Sequence, residues 1–173
     1  DISGHWAEKY IKDLAHKNVI KGIGDGSYHP EQTLSRAEIV SMIARMKNLS
    51  LPDMAEQSIF SDYQDIPWWA LEAVVAACKA GLISGCSDGS FRPARLVTRS
   101  EMAVILSRLT EEKLAKSSVD LPYLDWEKVP QWARDAFIQM YERGLLSVFT
   151  GASLEPDRPV TRAEAAALLD QLK

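Results

Sequence analysis

The chain has 173 residues, 46% hydrophobic and 25% charged, with a formal net charge of −4. That balance fits a globular domain with a sizeable core and excludes disordered and collagen-like classes. No apolar run approaches the roughly 20 residues that span a bilayer, and the acidic balance gives no general attraction to nucleic acid or anionic membrane, so an anionic partner must meet specific cations.

In chain order, one unit occurs three times. Trp6, Trp69 and Trp132 keep a 63-residue step, as do Pro30, Pro93 and Pro156, and then Arg36, Arg99 and Arg162. Such self-similarity marks a repeat architecture. Each unit opens on an apolar stripe: Trp6, Tyr10, Ile11, Leu14 and Ala15 in the first, with apolar counterparts from Trp69 and from Trp132. The spacing predicts amphipathic helices near 6–17, 69–80 and 131–143, with the tryptophans packed in the core and sugar stacking as their second reading. Asn18, Gly81 and Gly144 then supply residues that accept a left-handed backbone at a helix end. A Gly-rich reversal follows at Asp25-Gly26 and Asp88-Gly89, turning Tyr28 and Phe91 onto the core.

The second helix of each unit starts at Ser35-Arg36-Ala37-Glu38, Thr98-Arg99-Ser100-Glu101 and Thr161-Arg162-Ala163-Glu164. Ser or Thr three residues before Glu is a capping box, with hydroxyl and carboxylate each accepting from the other's amide. Two such helices cannot bury both apolar faces alone, so the three units must pack on one another. The expected fold is all-α, with three helix-turn-helix repeats of about 63 residues. Polar connectors run from Lys47 to Ser58 and from Thr110 to Pro122, each followed by an aromatic-x-Asp group, Phe60-Ser61-Asp62 and Tyr123-Leu124-Asp125. The first unit begins at Asp1 without its aromatic and without a basic-then-apolar leader, which suggests a piece of a longer protein.

Catalytic and metal-binding signatures are missing. His5, His16 and His29 all fall in the first unit, without zinc-ligand or metalloprotease spacing, and the glycines lack the context of a phosphate-binding loop. Asp25-Gly26 and Asp88-Gly89 lack the alternating acidic ligands of a calcium loop. Cys78 and Cys86 occur in the second unit alone, which favours packing over a repeated framework and leaves a local bridge open.

The arginines remain. At the first position of a helix, Arg lies at the positive end of the dipole, which disfavours a cation. One explanation is structural, an ion pair with Glu38, Glu101 or Glu164 or a stem stacked on an aromatic. The other is a site where Arg and free helix-start amides hold a carboxylate or phosphate, with bidentate geometry.

The ordered set of aromatic-x-Asp, Trp-Ala, Gly-x-x-Asp-Gly-x-Tyr/Phe-x-Pro and Ser/Thr-Arg-x-Glu resembles the S-layer homology domain, here as three repeats, 1–50, 60–112 and 123–173, in one compact domain over 1–173. The resemblance implies a pseudo-threefold domain with a central helix bundle and three inter-repeat grooves. It implies a secreted, non-catalytic module that anchors a bacterial surface protein to a secondary cell wall polymer, an anionic glycan carrying pyruvylated N-acetylmannosamine. The parent protein would then be able to assemble into an S-layer. No cofactor, metal, nucleic acid or membrane insertion is expected.

By that resemblance Arg36, Arg99 and Arg162 hold the ligand carboxylate, and Gly22 and Gly85 admit it close to the backbone. Lys21, Ser84 and Ser147 are candidate donors, and Trp69 and Trp132 candidate stacking platforms. In the third unit Val148 stands where Gly22 and Gly85 stand, which leaves at most two good grooves and ranks Arg36 and Arg99 before Arg162. The alternatives are a protein-interaction or self-assembly module with structural arginines, and a calcium-dependent surface module.

Overall fold

The computed structural model describes residues 1–22, 24–50, 59–110, 119–149 and 151–172. Six α-helices occur among the described residues: α1 (Glu8–His16), α2 (Arg36–Met46), α3 (Trp68–Lys79), α4 (Arg99–Leu109), α5 (Gln131–Glu142) and α6 (Arg162–Asp170). No strand is formed among them, so the domain is all-α. The expected connectors fall largely on 51–58 and 111–118, outside the described residues, as do Ile23 and Thr150 of the turns.

The helix starts follow the capping chemistry. Ser35, Thr98 and Thr161 each accept from the amide three residues on, while Glu38, Glu101 and Glu164 each accept from the cap amide. The first helices end before Asn18, Gly81 and Gly144, with φ of 57°, 70° and 71°.

The apolar stripe of the first helices keeps its expected middle but opens one residue later, on alanine in place of tryptophan. Ala7, Ala70 and Ala133 are fully buried, followed by Ile11 and Leu14, Val74 and Ala77, Phe137 and Met140. The tryptophan just before each alanine therefore points outward, with Trp6, Trp69 and Trp132 50%, 44% and 60% exposed. Their expected core packing is overturned. At the seam the small alanine lets two helices approach, and an indole in its place would hold them apart.

The repeats interlock in a ring. α2 packs on α3, α4 on α5, and α6 returns to α1, so the second helix of each repeat is covered by the first helix of the next. Lys17 and Asp170 form an ion pair at 3.0 Å across the α1–α6 closure. At the centre, Leu34 N donates to Val160 O at 3.1 Å, Val160 N to Val97 O at 2.9 Å, and Val97 N to Leu34 O at 3.1 Å. These three equivalent residues close a triangle of backbone hydrogen bonds and are fully buried. Burying unpaired amides there would cost about 1–3 kcal/mol each, so the triangle fixes the pseudo-threefold axis.

Each Gly-rich turn is tied down by the Asp of the aromatic-x-Asp group, or by Asp1 in the first repeat. Asp1 accepts from Tyr28 N and His29 N at 2.9 and 2.6 Å, Asp62 from Phe91 N and Arg92 N at 2.7 Å each, and Asp125 from Leu154 N and Glu155 N at 2.7 and 2.8 Å. The second residue of each pair is left-handed, with φ of 53°, 58° and 50° at His29, Arg92 and Glu155. Two successive amides then converge in a concave nest that suits a carboxylate, and here the chain supplies its own.

Candidate functional site

The three helix-start arginines are buried, although each carries a permanent charge. Arg36, Arg99 and Arg162 are 6%, 1% and 6% exposed. Each reaches into the turn of the following repeat, not into its own. Arg162 donates from Nε to Tyr28 O at 2.7 Å and from Nη2 to Lys21 O at 2.9 Å. Arg36 repeats this with Phe91 O and Ser84 O, both at 2.8 Å. The guanidinium carbons lie 4.4 Å from the Tyr28 ring centroid and 4.8 Å from that of Phe91, a cation–π arrangement. Burial lowers the Arg36 pKa from its ordinary value, while carbonyls and ring offset part of that cost.

One expectation about these arginines is corrected. Helix-start amides are not available to a ligand: Arg36 N donates to Arg95 O at 2.9 Å, Ala37 N to Pro93 O at 3.1 Å, and Glu38 N to Ser35 Oγ at 3.3 Å. The same pairing recurs at Arg99 with Arg158 O and at Arg162 with Gln32 O. At Arg36 and Arg162 the Nε–H and one Nη2–H are committed to backbone carbonyls, which leaves the outer Nη1/Nη2 edge of the guanidinium for another acceptor.

Arg99 differs. Its Nη1 donates to Leu154 O at 2.8 Å and to Glu155 Oε2 at 3.1 Å, and its Nη2 donates to Glu164 Oε1 at 2.5 Å. Its Nε is buried without a partner. The cause lies in the third turn, where Leu145–Val148 forms a short 3-10 helix and Leu154 occupies the place of Tyr28 and Phe91. Phe149 supplies the ring instead, 4.3 Å from the Arg99 guanidinium carbon. The guanidinium turns inward, and two protein carboxylates occupy its outer nitrogens.

This pairing sets each arginine beside a different turn from the expected one. The third turn, with Val148, belongs with Arg99, so Arg162 sits beside the Gly-bearing first turn and Arg36 beside the second. At Gly22 an added Cβ would meet Ser27 O at 2.7 Å, and at Gly85 it would meet the Phe60 ring at 2.7 Å. Close packing thus requires glycine at both positions, against the turn's own backbone at Gly22 and chiefly against the Phe60 ring at Gly85.

A cavity of about 460 Å³ opens where repeats one, two and three meet. Lys21 and Gly22 come from the first turn, Arg162 from α6, and Trp69 from the start of α3. Glu38, Ser41, Met42 and Arg45 complete it from α2. Three cations therefore face one carboxylate beside a half-exposed indole. Arg162 Nη1 stands 3.6 Å from Glu38 Oε1 and makes no closer polar contact among the described residues. Arg45, partly buried, has its pKa lowered by desolvation, and its Nη1 lies 3.4 Å from Val19 O.

The other candidates lie around the ring. Ser84 Oγ accepts from Arg108 Nη1 at 3.3 Å in the groove of Arg36, and Trp132 is exposed at the start of α5. Ser147 Oγ donates to Gly144 O at 2.8 Å, turned to its own loop. Arg45 is a charged groove residue that the motifs do not single out. Its signal was the 63-residue step to Arg108, broken in the third repeat by Gln171. Cys78 and Cys86 are free thiols, and burial raises Cys78 to about 11. No cluster of three metal-ligating side chains occurs among the described residues. Asp25 and Asp88 accept instead from Ser27 and Ser90 of their own turns.

Comparison with known proteins agrees with the repeat. The model of the S-layer homology domain matches residues 1–40, 59–103 and 122–166. Similar proteins include an amylopullulanase of Thermoanaerobacterium thermosulfurigenes, 33% identical over 98% of this chain and 9% of its own length. The exoglucanase XynX of Acetivibrio thermocellus is 33% identical over 98% of the chain and 16% of its own length, and the S-layer protein EA1 of Bacillus anthracis is 31% identical over 95% and 18%. The chain thus spans less than a fifth of these relatives. Domains of this kind are non-catalytic modules that anchor secreted proteins at the bacterial cell surface. With the family model on all three repeats, the chain belongs to the S-layer homology domain family.

Proposed function

We propose that the domain anchors its parent protein by holding a pyruvylated amino-sugar glycan of a secondary cell wall polymer in the grooves of Arg162 and Arg36. The supporting observation is the cavity where Lys21, Arg45 and Arg162 converge beside Trp69 with one opposing carboxylate, Glu38. A sugar bearing a ketal-linked pyruvate combines a fixed carboxylate with an apolar C–H face. The cation cluster meets the first and the indole meets the second. Arg162 contributes through the outer Nη1/Nη2 edge of its guanidinium, while Nε–H and the other Nη2–H hold the Tyr28 and Lys21 carbonyls. The Arg99 groove contributes little, because Glu164 and Glu155 already take the place of a ligand carboxylate.

The test is binding of the 173-residue chain to purified cell walls before and after extraction of the secondary polymer. Binding that disappears with the polymer supports the reading, and equal binding to both preparations sinks it. The rival, a protein-interaction module with structural arginines, draws on their burial and their bonds to backbone carbonyls. That structural duty is compatible with glycan binding through the remaining guanidinium N–H groups, so Arg→Ala variants do not separate the two readings. Trp69→Ala does, because the indole lies outside the core.

A further inference from the structure

Cys78 and Cys86 take no part in the helix caps, the aspartate clamps or the central triangle, and repeats one and three have no thiol at the equivalent places. Those places hold Ala15 and Tyr141 for Cys78, and Ile23 and Phe149 for Cys86. The fold nonetheless brings both cysteines to one guanidinium. Arg36, at the start of α2, donates from Nη2 to Ser84 O and from Nε to Phe91 O, both at 2.8 Å, so it lies against the end of α3 and the turn that follows. Its charge interacts with both thiols. Repeat three shows which way the second position faces, since Phe149 lies over the Arg99 guanidinium at 4.3 Å.

The segment between the cysteines is folded back on itself. Gly81, left-handed with φ of 70°, donates its N–H to Cys78 O at 3.0 Å, and Leu82 N donates to Ala77 O at 3.0 Å. Cys86 N then donates to Ser90 O at 2.7 Å, while Gly85 is pressed against the Phe60 ring. Both thiols are free and partly buried. Burial raises Cys78 to about 11, so it holds its proton and leaves Cys86 to meet an external disulfide first. We infer that Cys78 and Cys86 are a thiol–disulfide couple that ties the end of α3 to the turn holding Arg36. The Cys86 sulfur attacks a low-molecular-weight disulfide and expels one thiolate. The Cys78 sulfur then attacks the Cys86 sulfur of the mixed disulfide and expels the second thiolate. Two cysteine thiols are oxidised, one external disulfide is reduced to two thiols, and the two cysteine protons pass to the departing thiolates. A secreted domain reaches the oxidising surroundings in which such a bridge persists.

The test incubates the 173-residue chain with oxidised glutathione and reads intact mass, free-thiol content and monomer content. A monomer lighter by two hydrogens and without a free thiol is expected. It should melt about 5 °C above the reduced chain, because the bridge restricts the unfolded state. Cys78→Ser should instead stop as the glutathione adduct on Cys86, since the resolving thiol is gone. A persistent adduct on the unaltered chain, a disulfide-linked dimer, or two thiols that stay free would each overturn the couple. A Cys78→Ser chain that takes up no glutathione would overturn it too, because Cys86 would then be closed to external disulfides. An oxidised chain that melts no later than the reduced one would overturn the tie between α3 and its turn.

Discussion

Arg99 and Glu164 form a buried ion pair at 2.5 Å, with side chains 1% and 7% exposed, whereas the equivalent pair, Arg162 and Glu38, stands 3.6 Å apart at a groove. One repeat motif therefore gives a closed contact at one interface and an open one at another. Removing one partner of a buried pair strands the other charge, typically at about 3–5 kcal/mol. Glu164→Ala should accordingly cost about 3 kcal/mol or more in urea unfolding, whereas Glu101→Ala, whose partner Arg95 is partly exposed, should cost about 1 kcal/mol, a cap alone. Equal losses would show that burial of the Arg99 pair is immaterial.

The aspartate clamp gives a second prediction. Asp125 is buried and accepts from two amides, Leu154 N and Glu155 N. Asp125→Ala should lower stability by about 3 kcal/mol, since two charge-assisted bonds are lost and an amide is left buried. Asp125→Asn keeps one acceptor oxygen and should lose about half as much. Urea unfolding of both variants measures the difference, and no loss in either would remove the clamp from the account of the turn.

Much of this was legible in the chain. Capping at Ser35, Thr98 and Thr161 involves residues three apart, so the hydroxyl and glutamate announce their own bonds, and Asn18, Gly81 and Gly144 likewise mark their local backbone. The pairing of Arg162 with Lys21 spans 141 residues and depends on how repeats interlock, which a periodic pattern does not encode. The pattern alone therefore sets each arginine beside its own turn and places Arg99 before Arg162. Trp69 misled for a different reason. It precedes Ala70 by one residue, and on a helix one step is about 100°, enough to move an indole from the seam to the rim.

The turn carboxylates give a prediction about acid. Hydrogen bonds from the Ser27 hydroxyl and amide, then from His29, lower the Asp25 pKa from 3.8 to about 2. Asp88 shifts the same way through Ser90 and Arg92. A depressed carboxyl stabilises the folded state above its unfolded pKa, and that contribution is lost as pH falls through the folded value. For Asp25 the loss should fall between about pH 4 and pH 2, with none between pH 7 and pH 5. Thermal unfolding of Asp25→Asn should show a flatter acid limb over that window than the unaltered chain, and identical limbs would count against the turn bonds.

Glycine in the turns is testable separately from binding. Gly22→Ala drives a Cβ against Ser27 O, and Gly85→Ala drives one against the Phe60 ring and Ser90 O. Overpacking of this kind typically costs about 1–3 kcal/mol. Both variants should melt earlier, with Gly85→Ala at least as affected, because backbone and ring both crowd it. Weakened glycan binding with unchanged melting would instead mean that ligand approach, and not turn crowding, requires these glycines.

The unequal grooves are tested most directly by the stoichiometry of a pyruvylated N-acetylmannosamine ligand, measured calorimetrically on the chain and on Trp6→Ala, Trp69→Ala and Trp132→Ala. Two sites per chain are expected, with Trp69→Ala and Trp132→Ala each weakening one by about tenfold, about 1.4 kcal/mol, and Trp6→Ala changing neither. Three equivalent sites, or a site that Trp6→Ala removes, would contradict the internal occupation of the Arg99 groove by Glu164.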